Sequence, residues 1–154
     1  MAEFSIREAI EMAVQTEKLG YEFYNTMAEK NQKNEGLHEL FDTLAKKEQV
    51  HEKMFQELKE LIGDKEPEEW DQVADYMRAM VESAFFLGKD KATMHIQNIQ
   101  DAVAAVSFAI AFEKETLLFY HGIKDAVKEK DVIDEIINEE KSHIMWLVKF
   151  RKKN

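Results

Sequence analysis

The sequence predicts an all-α fold: a four-helix bundle built from two repeated helical hairpins, with a shorter helix in the crossover connection between them. Three observations predict it. The 154 residues include five Gly, one Pro and no Cys, so long stretches are free of helix breakers. Apolar residues recur at three- and four-residue spacing through most of the chain. Finally, the stripe Phe41, Leu44, Glu48, His51, Phe55, Leu58 returns 92 positions later as Ile133, Ile136, Glu140, His143, Leu147, Phe150. A repeat of this length, in a chain the size of one ordinary domain, means one core made twice over.

The elements follow in order. "SIRE" at 5–8 is a capping box, with Ser5 as N-cap and Glu8 three positions later. Ile6, Ala9, Ile10, Ala13, Val14, Tyr21 and Tyr24 then keep a helical period to about residue 33. "NEG" at 34–36 interrupts it, and a second helix runs from about Leu37 to Ile62, stopping at Gly63. "DKEPEEW" is a charged linker whose Pro67 suits the first turn of another helix. "WDQVADYMRAMVESAFFLG" reads as a shorter amphipathic helix ending near Gly88. Its "AFFLG" could form a dimer surface or pack on its own bundle. "KDKATMHIQNIQ" is a second connection. A third long helix begins at Asp101 and runs to about Lys128, and Asp131 caps a fourth that ends in "KFRKKN". The first and third helices also match, shifted by 96: Ser5 with Asp101, Ala13 with Ala109, Glu17-Lys18 with Glu113-Lys114, Phe23-Tyr24 with Phe119-Tyr120. The chain is therefore one domain, with repeat one at 5–62, a crossover at 63–100 and repeat two at 101–152.

Composition excludes several function classes. Apolar residues make up 45% and charged residues 34%, which suits a packed globule. A net charge of −10 argues against nucleic acid as a partner. The basic C-terminal run is a helix end complementing its own dipole. Without Cys there is no disulfide, iron–sulfur cluster or zinc knuckle. No signal sequence or membrane-length apolar run is visible, so a soluble cytoplasmic protein with no membrane association is expected.

The repeated charges carry the chemistry. Glu17 lies on the Ala13/Tyr21/Tyr24 face and Glu113 on the Ala109/Leu117/Tyr120 face. With Glu48, His51, Glu140 and His143, they bring four carboxylates and two imidazoles to one bundle interior. Burying each ion unpaired costs several kcal/mol, against a total stability of about 5–15 kcal/mol. No Lys or Arg lies on these stripes. Two divalent cations would balance four carboxylates, and a Glu from each of two helices plus Glu-x-x-His from each of the other two is the ligand rule of a bundle dimetal site. Carboxylate and imidazole without sulfur suit iron or manganese, and zinc would also fit. Tyr24 and Tyr120 read either as core aromatics or as donors to a ligand carboxylate across the bundle. His38, His95 and His121 are expected on the surface or in loops, and Glu22, Glu52, Glu115 and Glu139 in solvent.

At these residues the sequence resembles the rubrerythrin-like branch of the ferritin-like di-iron superfamily. The matching pieces are "TEKLGYEFY", "KEQVH", "DYMRAMVESAFF", "AFEKETLLFY" and "NEEKSH". The resemblance implies two iron ions held by Glu17, Glu48, His51, Glu113, Glu140 and His143. Glu48 and Glu140 would bridge, and Glu17 and Glu113 would be terminal. It also implies a homodimer that reduces hydrogen peroxide, or oxidises ferrous iron with O2. Two departures bear on this. The 154 residues hold no Cys for the four-cysteine iron of a rubredoxin domain, so no such domain is expected and electrons would come from a separate donor such as a rubredoxin. The extra glutamate that rubrerythrins carry one turn after the third-helix ligand is Thr116 here, and Gly20 holds the matching place in the first helix. The competing expectations are a ferroxidase or iron-sequestering protein without peroxidase turnover, and a metal-free interaction bundle.

Overall fold

The computed structural model describes residues 4–87, 91, 96, 98, 99 and 101–154. Among them run five helices: α1 (Ile6–Lys30), α2 (Glu35–Ile62), α3 (Trp70–Ser83), α4 (Ala102–Ala126) and α5 (Lys130–Lys153). The fold is all-helical. α1 packs along α2 and α4 along α5, giving the two hairpins. α1 against α4 and α2 against α5 close the bundle, and α3 leans on α4.

Short polar side chains set where the long helices begin. Ser5 Oγ accepts from Glu8 N at 3.1 Å, Asn34 Oδ1 from Leu37 N at 3.2 Å, and Asp101 Oδ1 from Ala104 N at 2.7 Å. Each satisfies one of the N–H groups that a helix start leaves without a partner. α2 ends at Gly63, whose φ of 63° is open to a residue without a Cβ. α5 differs from the sequence expectation. It starts at Lys130 behind Glu129, which makes no side-chain cap, and Asp131 lies inside the first turn. There its carboxylate complements the helix dipole without capping.

The core is the predicted stripe and its partners. Ile10, Phe23, Phe41, Leu44, Phe55, Phe119, Ile133, Ile136 and Leu147 are all buried. Side chains of this size contribute about 1.5–3 kcal/mol each on burial. Phe150, the last member of the stripe, is half-buried. α4 is buried over a wider arc than the other helices, because α3 and the residues after it cover its outer side.

The crossover departs from expectation at both ends. Pro67 precedes α3, and its carbonyl accepts from Trp70 N at 3.1 Å in the turn that leads in. Trp70 is fully buried and donates from Nε1 to Phe4 O at 2.8 Å, while Glu66 Oε1 accepts from Ile6 N at 3.0 Å. These bonds tie the crossover to the start of α1. At its far end α3 stops at Ser83, earlier than the apolar pattern suggests. The Glu115 carboxylate on α4 accepts from Phe85 N and Phe86 N, both at 2.9 Å. Lys91 Nζ donates to Val81 O at 2.9 Å and Ala84 O at 3.0 Å. Side chains from elsewhere in the chain thus take the backbone groups a further turn would have paired. Phe86 sets its ring 4.8 Å from Phe108 and Leu87 is buried, so this stretch packs on its own bundle, leaving Phe85 exposed. The expected end at Gly88 and His95 lie outside the described residues. Among the described residues no helix is long and apolar enough to cross a membrane.

Candidate metal centre

All six charged positions of the repeat meet inside the bundle. Glu17, His51, Glu140 and His143 are fully buried, Glu113 is 1% exposed and Glu48 2%. Each helix of the bundle supplies its share because positions three apart leave one helix face a turn apart: Glu48 with His51 on α2, Glu140 with His143 on α5. α1 and α4 each supply the single glutamate of their shared face. The donor atoms form two overlapping groups, Glu17–Glu48–His51–Glu140 and Glu48–Glu113–Glu140–His143, each with its atoms within 4.8 Å of one another. Glu48 and Glu140 belong to both. The two imidazole rings stand 5.8 Å apart and nearly parallel, at 19°.

The contacts have the character of groups converging on a third point. His143 Nδ1 lies 2.9 Å from Glu140 Oε2, 3.4 Å from Glu48 Oε1 and 3.5 Å from Glu113 Oε1, yet makes no hydrogen bond. Glu17 Oε2, Glu48 Oε1, Glu140 Oε2 and His143 Nε2 are also buried without a hydrogen-bond partner among the described residues. Buried polar atoms are rarely left so, and here four of the five belong to one knot of acceptors and an imidazole nitrogen facing inward. The donor set and its geometry fit a pair of divalent cations.

The electrostatics agree. Burial pushes Glu48 well above the usual carboxylate range, and the charges of Glu140, Glu17 and Glu113 push it further. Glu113 rises to about 8 through burial and its neighbour Glu140, against the lowering influence of His143. Burial would lower His51 and His143, but their carboxylate partners reverse this and push them up to about 11 and about 10. With no cation among them, Glu48 and Glu113 are held toward the protonated form and the two imidazoles toward the charged form.

Around the six sit four residues that shape them. Tyr24 Oη donates to Glu113 Oε1 and Tyr120 Oη to Glu17 Oε1, each at 2.6 Å. The two bonds cross between α1 and α4 as mirror copies, one per repeat. Burial, then the neighbouring carboxylates, raise both phenols well above their ordinary value, so they remain donors. At Gly20 an added Cβ would stand 3.2 Å from Glu48 Oε2, so the missing side chain makes room for that carboxylate. Thr116, at the matching place, is buried and donates to Phe112 O at 2.8 Å.

Two residues expected in solvent are engaged with the protein instead: Glu115, through its clasp on Phe85 N and Phe86 N, and Glu139. Glu139 Oε2 lies 2.7 Å from His51 Nε2, with its side chain 36% exposed. Its position next to Glu140 points it sideways at α2 rather than at the bundle axis, which a single-stripe reading overlooks. The signal was in the repeat: the register partner of Glu139 is Lys47, a reversal of charge beside an otherwise preserved motif. His121 is exposed as expected, whereas His38 is half-buried on α2, with Nδ1 2.6 Å from Ala28 O.

Fold and site together define a ferritin-like helical bundle whose two buried carboxylate–imidazole clusters are consistent with a dimetal site. The Rubrerythrin family matches residues 8–150, and the chain belongs to that family. Its fold is similar to the crystal structure of a ferritin-like diiron-carboxylate protein from Thermotoga maritima, with a TM-score of 0.73 and 21% identity over 99% of this chain and 97% of the other. No curated protein matches the sequence.

Proposed function

We propose that this chain is a di-iron oxidoreductase of the rubrerythrin type, reducing hydrogen peroxide or O2 with electrons from a separate donor protein such as a rubredoxin. It would act in the cytoplasm as a homodimer. The observation that carries the reading is the pair of buried donor groups sharing Glu48 and Glu140. Sharing suits these two carboxylates to bridging. It leaves Glu17 with His51 at one metal position and Glu113 with His143 at the other.

Held by these six residues, an iron pair would supply two-electron reduction of an O–O bond, with the electrons coming from the external donor. The chain's own side chains do the rest. Tyr120 and Tyr24 hold the Glu17 and Glu113 carboxylates by one oxygen each, which fixes how the other oxygen is presented. Close packing around the six keeps bulk water out, since none is more than 2% exposed.

Thr116 favours a second reading. Its hydroxyl is engaged with Phe112 O and offers no seventh carboxylate, so the site is simpler than the resemblance leads one to expect. Such a site suits a ferroxidase or an iron-binding and sequestration protein without repeated turnover. The test is anaerobic loading with Fe(II), then stopped-flow mixing with peroxide and separately with O2. A faster reaction with peroxide, with many turnovers on reduced rubredoxin, is expected. A single oxidation without turnover would establish the second reading, and less than one metal per chain would sink both. Metal analysis of the same samples separates iron from manganese and zinc.

A further inference from the structure

The two metal positions should be equivalent if the repeat were perfect, and the histidines show that it is not. His51 turns Nδ1 inward, 2.9 Å from Glu140 Oε1 and 3.7 Å from Glu17 Oε2, and its Nε2 meets Glu139 Oε2 at 2.7 Å. His143 also turns Nδ1 inward, toward Glu48, Glu113 and Glu140. Its Nε2, however, is buried and has no hydrogen-bond partner among the described residues. Beside it stands the Trp146 ring, 5.6 Å away centre to centre, whose indole N–H cannot accept a proton. The register partner of Glu139 is Lys47, and an ammonium cannot accept either.

We infer that Glu139 is a positioning residue that makes the two metal positions unequal, the one at His51 binding its ion first and more tightly. The inference rests on the dimetal reading. A neutral imidazole that ligates through Nδ1 carries its proton on Nε2. A carboxylate on that proton locks the tautomer and the ring angle, and makes Nδ1 a stronger donor. Glu139 does this for His51. His143 must adopt the same tautomer with its N–H unsatisfied, which disfavours the ligating form at the second position.

Calorimetric titration of the chelator-stripped full chain with Co(II) tests this, with circular dichroism confirming the fold of each variant. The wild type is expected to bind two ions in two steps of different affinity. Glu139→Ala should weaken the tighter step by about 10–100-fold, the usual cost of losing such a partner, and leave the weaker step nearly unchanged. Glu139→Gln, which keeps an acceptor, should recover part of the loss. Lys47→Glu should tighten the weaker step and draw the two together. Two equal steps in the wild type, or a Glu139→Ala titration that matches it or loses both steps alike, would overturn the inference while leaving the dimetal site intact. A wild type that takes up no Co(II) would instead refute the dimetal reading and the inference with it.

Discussion

At the scale of single residues, the centre is governed by how little freedom its carboxylates have. Tyr120 illustrates this: its phenol is the one described hydrogen-bond partner of Glu17 Oε1. Tyr120→Phe leaves the ring packed against Phe55 and removes only that bond. A hydrogen bond to a charged group contributes about 1.5–3 kcal/mol, so metal affinity should fall about tenfold or more with the fold retained, as a titration of the variant would show. An unchanged affinity would mean the tyrosine is simply a core aromatic. Gly20 gives a prediction whose two halves differ in sign. Alanine is the better helix former by about 1 kcal/mol, but its Cβ would stand 3.2 Å from Glu48 Oε2. Gly20→Ala should therefore leave the chelator-treated protein as stable as the parent or slightly more so in denaturant unfolding, while weakening metal binding because Glu48 must swing aside. Equal binding in variant and parent would show that the space at Gly20 is not needed.

At the scale of elements, the helices that carry the centre were legible in the sequence and the crossover was not, for one physical reason. Long helices are set by their own apolar period and by caps close in sequence, such as Ser5 and Asn34. The internal repeat then exposed Glu48, His51, Glu140 and His143 as charges kept where apolar residues would otherwise stand. The end of α3 depends instead on partners distant in sequence. Glu115, from α4, holds Phe85 N and Phe86 N, and no periodicity announces that. Glu139 reads as solvent-facing for the same reason, since its partner His51 is 88 residues away. The Glu115 clasp is testable. Glu115→Ala removes two acceptors from a partly exposed stretch where water can replace them, so the cost to global stability should be about 1 kcal/mol. Cleavage in limited proteolysis around residues 84–87 should nonetheless become faster, because local opening no longer has to break the two bonds of the clasp. Unaltered cleavage would mean that the clasp is not needed to pin the segment, which its packing and the Lys91 bonds then hold.

For the whole molecule, the buried charges tie folding, protons and metal together, and the sign of each linkage can be worked out. In the unfolded chain Glu113 ionises near pH 4.3 and the histidines lose their protons near 6.5. In the folded, metal-free protein Glu113 holds its proton up to about 8, and His51 and His143 theirs up to about 11 and about 10. All three folded values are raised, so the folded state binds more protons than the unfolded state throughout this interval. Stability then falls as pH rises. Glu113 contributes fully below about pH 4 and its contribution fades towards 8; the histidines contribute fully below about 6 and fade towards 10 to 11. Metal bound at these groups would reverse the slope, since ligation requires ionised carboxylates and neutral imidazoles, and each ion bound would expel the protons that occupy its ligands. The chelator-treated protein should therefore melt at a lower temperature at pH 8.5 than at pH 6, while the gain in melting temperature on adding Fe(II) anaerobically should be larger at pH 8.5. Calorimetry in buffers of different ionisation enthalpy should register proton release on binding. Should the stripped protein be more stable at the higher pH, the six groups would not share the buried, mutually repelling environment on which the whole centre depends, and a cation pair would no longer be needed to hold them together.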